Sequence, residues 1–183
     1  MFISSSTALF STLVQPVFAN SDHGSGSGSV GHTMASMSLV ALEDVTHHAV
    51  QSGDWSDPAT WESGLVPTQW AKVHIPEAVD VRVDGLISAS MKTVRVDGTL
   101  NFANDVDTEL KVDTLVTGSA AKLIIGTPET PIAPTVSAKL TIADDGAIDR
   151  NWDPAMLSRG LLAHGETTIY GAEKSAFHTL AQH

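Results

Sequence analysis

From Lys72 onward, apolar residues recur at every second position, in short runs that mostly stop at Gly or Asp-Gly. Val73 and Ile75 begin the pattern. Val79, Val81 and Val83 follow, then Val94 and Val96, Leu100 and Phe102, Leu110 and Val112, Leu123 and Ile125, and Leu140 and Ile142. Side chains on a strand alternate between two faces, so this period buries one side of many short strands and leaves the other to water. Helical periodicity is absent after residue 45, and the fold class is therefore all-β.

Two internal echoes sharpen that reading. "VRVDG" stands at 81–85 and again at 94–98, and "KLIIG" at 122–126 returns as "KLTIADDG" at 139–146. Strand-plus-turn units repeated at irregular spacing suggest a β-solenoid, each coil burying its apolar side on its neighbours. An antiparallel sandwich also gives short alternating strands. Tight Asn-Gly hairpin turns are missing, however, and the Asp-Gly sites end near-identical strands rather than joining complementary ones, which favours the solenoid. "GTPETPIAPTVS" (126–137) carries three prolines and must leave the sheet as a loop, because proline cannot donate to a ladder. "DRNWDPAMLSRG" (149–160) is a second excursion, with room for one helical turn after Pro154. Excursions of this kind sit on one flank of a solenoid and often build its functional surface.

At 183 residues the chain suffices for one domain with a real core. Its formal charge of −11, with only 10 Lys and Arg, argues against binding a phosphate backbone. The absence of cysteine removes disulfides, thiolate metal sites and a Cys nucleophile. Residues 1–19 read as a signal peptide ending in Val17-Phe18-Ala19, although Met1 to Phe10 lacks the usual basic residue. The run is too short and too interrupted to span a bilayer. Residues 20–33 are Gly/Ser-rich and read as a flexible linker, with the domain proper at 34–183. Whether 34–44 is a helical turn or an extended lead-in is open at this level.

The chain has ten aromatic residues, and three tryptophans fall close together at Trp55, Trp61 and Trp70. "GDWSDPATW" lies just before the first regular strands. There Trp55 and Trp61 can close the open end of a core, with Asp57-Pro58 fixing the turn between them. Trp70 is left as the exposed aromatic and a candidate ligand contact. Asp105, Asp107 and Glu109 form the densest acidic cluster, with Asp97 and Asp113 nearby. They suit solvated turn and edge residues, a Ca²⁺ site built of oxygen ligands, or the carboxylate pair that glycoside hydrolysis needs. The eight histidines form no HxH or HExxH pattern, so local spacing supports no zinc site, and no cofactor other than Ca²⁺ is suggested. Arg82 and Arg95 hold equivalent places in the two "VRVDG" units. Stacked coils would set them one above the other as a small cationic ladder able to pair the carboxylates of an acidic polymer.

"GDWSDPATWESGLVP", "VHIPEAVDVRVDG", "VRVDGTLNF", "LIIGTPETP" and "GLLAHGETTIYGAEKSAFHTLAQH" together resemble the G8 domain, over roughly residues 47–183. The glycines of that pattern would fall at Gly64, Gly85, Gly98, Gly118, Gly126, Gly146, Gly160, Gly165 and Gly171. Gln69-Trp70 and Glu77-Ala78 stand where glycines are common, and Phe177 stands where Trp is usual. The resemblance implies a right-handed parallel β-helix in an extracellular or cell-surface setting, and a link to polysaccharides such as hyaluronan. The expectation is a secreted or cell-surface, non-catalytic β-helix module with a Trp-rich N-terminal cap and no membrane span. Its ligand residues are expected among Arg82, Arg95, Trp70, Asp105 and Asp107, and further C-terminal domains of the same chain are expected beyond His183. The alternatives are a polysaccharide-depolymerising enzyme using the acidic residues of 97–113, and a structural stalk with no glycan ligand.

Overall fold

The computed structural model describes residues 27–173, with side-chain detail from residue 31. The segment read as a signal peptide and the closing "SAFHTLAQH" lie outside the described residues. Helix α1 (Ser27–Ser38) leads into the strands β1 (His47–His48), β2 (Gly53–Asp54), β3 (Lys72–Ile75), β4 (Asp80–Val83), β5 (Leu86–Val96) and β6 (Thr99–Phe102). They are followed by β7 (Thr108–Thr117), β8 (Lys122–Ile125), β9 (Ala138–Ile142), β10 (Gly160–Ala163) and β11 (Glu166–Ile169). Every pairing between these strands is parallel.

Two sheets result. The first runs β1-β3-β5-β7-β10, with β9 also paired to β7, and the second runs β2-β4-β6-β8-β11. From β1 to β8 the chain alternates between them, so each strand lies beside the one two places on. In the first sheet Val73 pairs with Val94 and Val94 with Leu115, a step of 21 residues each time. The long β7 takes two partners end to end: β9 along Thr108–Val112 and β10 along Thr114–Thr117. Parallel strands need crossovers, and here each crossover is itself a strand of the other sheet.

This register corrects the reading of the echoes. The two "VRVDG" units are β4 and the end of β5, consecutive strands in different sheets, and Val81 pairs with Leu100 rather than with Val94. "KLIIG" and "KLTIADDG" are likewise β8 and β9, in different sheets. Similar pentapeptides arise because successive strands meet the same demands, one apolar face and a sharp stop, and not because they stack.

The alternation does its expected work inside. Val81, Val83, Leu100, Leu123, Val73, Ile75, Val94, Leu110, Val112 and Leu115 are all buried in one cluster between the sheets. Trp55 and Trp61 join it from the β2 end, fully or almost fully buried, their rings edge-on with centroids 5.1 Å apart. The Trp61 indole N–H donates to the Trp55 carbonyl at 2.9 Å. Asp57 caps the short 3₁₀ turn Pro58–Thr60 by accepting from the Ala59 amide at 2.9 Å, as an Asp-Pro turn should.

The outer faces of the two sheets differ. On the first sheet, β7 is buried on both sides from Val112 to Thr117. A second apolar cluster of Leu39, Val40 and Val116, with Met37, Trp152, Leu157 and Leu162 against it, clothes that face. Its materials are the stretch after α1 and the 149–160 excursion, which folds as turns with no helix after Pro154. Below the excursion the fully buried Asp113 accepts from Lys92 Nζ at 3.0 Å, and Lys92 lies 4.8 Å over the Trp152 ring. Helix α1 begins inside the segment whose composition reads as linker. Tertiary contact supplies what composition lacks: Ser36 Oγ shares a 2.6 Å hydrogen bond with His164 Nε2. The second sheet keeps its outer face bare, and β4 reads exposed-buried-exposed-buried from Asp80 to Val83.

Trp70 and Ala78, which stand where the resemblance has glycine, both carry positive φ, at 67° and 64°. A side chain there costs roughly 1–2 kcal/mol, because Cβ crowds the following carbonyl. Ala78→Gly is therefore expected to raise stability by about 1 kcal/mol in urea titration, despite the greater freedom glycine gives the unfolded chain.

Candidate functional site

The bare face of the second sheet is built by its register. Asp54 pairs with Arg82, Arg82 with Asn101, Asn101 with Ile124 and Ile124 with Thr168. All five stand on the same side of their strands, in one column across the sheet, since a paired residue shares the pleat of its partner. Two hollows of about 280 and 330 Å³ lie along it. Arg82, Asn101, Asn104, Thr127 and Thr130 line the first; Lys122, Pro128, Glu129, Glu166, Thr168 and Tyr170 line the second. Ile124 and Thr127 line both, so the hollows form one continuous groove. The proline-rich loop 126–137 makes one wall. Gly126, at φ +74, sends it outward, and the Ile132 amide donates to the Tyr170 carbonyl at 2.9 Å to hold it beside β11.

The cations of the groove are already partnered. Arg82 donates from Nε to Asp54 Oδ1 at 2.7 Å and from Nη2 to Asp54 Oδ2 at 3.0 Å, a two-pronged pair. The guanidinium hydrogen-bonded to Asp54 holds that carboxyl below the usual range. Asn101 Nδ2 donates to Asp80, whose own acidity is weakened by burial. Lys122 and Glu166 face each other at 3.9 Å.

Of the residues singled out by sequence, Arg82 alone lies in this groove. Arg95 is on β5 of the other sheet, its guanidinium donating to Asp97 at 2.7 Å and to the Val40 carbonyl at 3.4 Å. The cationic ladder is thus overturned: the two arginines belong to strands that do not pair. Trp70 is half exposed, but its amide donates to Ser90 on β5 and it does not line the groove. Asp105 and Asp107 precede β7 in a loop. Asp107 accepts from the Ser137 amide at 2.7 Å, which lowers its pKa, while Glu109 accepts from Thr141 Oγ1. Asp107 and Glu109 therefore turn to separate partners while the charge of Asp105 acts on Arg82, and among the described residues no three metal-ligating side chains gather. Tyr170, the only tyrosine of the chain, flanks the groove and was not singled out. Only its position, just past a strand and beside a proline loop, hints at the role.

A third hollow, of about 250 Å³, opens at the corner that follows β3, β5 and β7 and is lined by His74, Glu77, Asp97, Gly118, Ser119 and Ala120. The ring nitrogens of His74 are both engaged: Nε2 donates to Asp97 Oδ2 at 3.0 Å, and Nδ1 shares a 3.1 Å hydrogen bond with His48 Nδ1. Burial lowers the pKa of His74 by more than Asp97 raises it, and burial lowers that of His47 too. A histidine held neutral in the fold takes its proton more readily when unfolded. Stability from this source is therefore complete above the unfolded value near 6.5 and is lost as pH falls below it. The melting temperature should drop by a few degrees between pH 7 and pH 5, and His74→Gln should flatten that slope.

A family model described as the G8 domain matches residues 60–181, about two thirds of the chain. No curated protein and no solved structure matches it. Among the described residues no helix is long and apolar enough to cross a membrane.

Proposed function

The chain belongs to the G8 domain family, and on that premise we propose that it is an extracellular, non-catalytic module that associates with polysaccharide through the bare face of its second sheet. The observation that carries this reading is the continuous polar groove across β4, β6, β8 and β11, walled by the 126–137 loop. Carbohydrate sites combine hydroxyl-matching polar groups with an aromatic edge, and this groove has both. On the first sheet the second apolar cluster covers the outer face around Val116 and Leu162.

The strand order supports a parallel β-helix, since consecutive strands alternate between parallel sheets with one core between them, and the general preference of parallel crossovers for the right hand makes it right-handed. On this reading Trp55 and Trp61 are the cap over its first coil. The carboxylates that a depolymerising enzyme would draw from 97–113 do not converge. Asp97 serves His74 and Arg95, Asp113 is buried under Lys92, and Asp107 holds Ser137. None of them lines the groove.

Incubating the full chain with a panel of soluble polysaccharides tests the proposal. Retention without shortening of the polymer is the expected result. Shortened chains would make it an enzyme, and absence of retention across the panel would leave a structural stalk.

A further inference from the structure

The charge of the groove decides which polysaccharides it can take. Its two cations, Arg82 and Lys122, face Asp54 and Glu166. Asp80 and Asp84 flank Arg82 two positions to either side, on the same outward face, the charges of Asp84 and Asp105 act on its guanidinium, and Glu129 lines the second hollow. Asp84 is itself held by the Ser56 amide at 3.1 Å and by the Ser56 hydroxyl. Carboxylates therefore outnumber cations on this face, and the whole chain carries −11. A polyanion entering here would have to displace Asp54 from a two-pronged pair and then meet an excess of like charge. The remaining lining groups are neutral hydrogen-bonders, Asn101, Asn104, Thr127, Thr130 and Thr168, with Ile124 and Tyr170 as apolar surface.

The spacing fits a linear chain. Neighbouring strands lie about 4.8 Å apart, so the column from Arg82 on β4 to Thr168 on β11 spans roughly 14 Å. Each strand-to-strand step is close to the length of one pyranose unit. At the β11 end Tyr170, 46% exposed, lines the second hollow together with Pro128. It offers a ring face for the apolar side of a sugar.

We propose that the groove binds an uncharged linear polysaccharide laid across the strands, one sugar per strand, with Tyr170 stacking the unit at the β11 end. The inference rests on the glycan-module reading above and narrows its ligand class away from hyaluronan and other polyuronides.

The test compares binding of the full chain to xylan, laminarin and cello-oligosaccharides with binding to hyaluronan and polygalacturonate, at low and at high salt. Neutral polymers should bind with little salt dependence, since no net charge pairing drives the contact. Affinity should rise with oligosaccharide length and level off at about three to four units, as the strand spacing sets. Tyr170→Ala should weaken binding roughly tenfold and Tyr170→Phe should restore most of it, because the ring and not the hydroxyl stacks. Tyr170 is exposed, so an unchanged melting curve checks that the variants fold. Tighter, salt-sensitive binding of hyaluronan or polygalacturonate would overturn this inference while leaving the module reading intact. Neutral binding indifferent to Tyr170→Ala would overturn the site. Failure of every polymer to bind would sink the inference together with the reading beneath it.

Discussion

Trp55→Ala should remove about 3–5 kcal/mol of stability, the range for deleting a fully buried large aromatic. Natural domains hold only about 5–15 kcal/mol in total, so the variant should melt far below the parent or fail to fold. Trp55 has no exposed surface, packs edge-on against Trp61 and supplies the carbonyl to which the Trp61 indole donates. Its own amide donates to the Arg82 carbonyl, extending the β2–β4 pairing by one bond. Removing the ring opens a cavity at the end of the core, where the β1 and β2 strands are only two residues long and cannot close over it. Urea titration measures the loss. An exposed sugar platform would respond otherwise, keeping its melting point and losing only ligand, and that outcome would refute the role as a plug.

Gly98→Ala should be as damaging, for a different reason. An added Cβ would lie 2.3 Å from the carbonyl oxygens of both Pro76 and Val79, atoms of the corner stacked beneath it. Gly165 repeats the situation two layers on, with the Ala121 and Gly118 carbonyls at 2.2 and 2.6 Å. Corner backbone cannot yield as a side chain can: the Thr99 amide bonds the Val79 carbonyl and the Lys122 amide bonds the Gly98 carbonyl, tying the layers together. The cost should exceed the roughly 1–3 kcal/mol of ordinary overpacking. Gly85→Ala is the matched control. It meets nothing within 4 Å and its φ is not in the left-handed region, so its melting point should hold or rise slightly. Equal tolerance of both substitutions would contradict the stacked corners.

These two variants mark what the sequence made legible. Period-two runs identified most of the buried residues from Val73 to Ile125, because burial on a pleated strand is a local property that one strand reveals by itself, but on β9 Leu140 is only partly buried and Ile142 is exposed. Val81, Val83, Leu100 and Leu123 are all fully buried. Of the recurrent glycines, Gly98, Gly118 and Gly165 stand where an added Cβ would strike a neighbouring turn, whereas Gly85, Gly160 and Gly171 meet nothing within 4 Å. The register at "VRVDG" differs from the echo because sequence likeness reports a shared local task, whereas pairing is set by how many residues separate neighbouring strands of one sheet. The 21-residue step from Val73 to Val94 to Leu115 joins segments that hardly resemble each other.

The candidate site suffered most from this. With Arg82 and Arg95 assigned to one ladder, the column that exists, Arg82-Asn101-Ile124-Thr168, stayed hidden, since its members share no motif. Tyr170 joins it across 88 positions from Arg82, a distance no local pattern spans. Asp97 and His74 lie 23 residues apart and meet only because β3 and β5 are neighbours. Helix α1 straddles the Gly/Ser-rich stretch that reads as linker and the 34–44 segment that the pattern leaves open, because Ser and Gly carry little helix propensity and the contact of Ser36 with His164 supplies the difference.

The most direct measurement is a map of amide shifts in the isotope-labelled chain as a neutral xylo-oligosaccharide is added. Shifts should gather at Arg82, Asn101, Ile124, Thr127, Thr168 and Tyr170, along one line across four strands. Shifts centred instead on His74, Glu77, Asp97 and Ser119 at the opposite corner, or no shifts at saturating sugar, would contradict the assignment of the bare face as the glycan-binding surface.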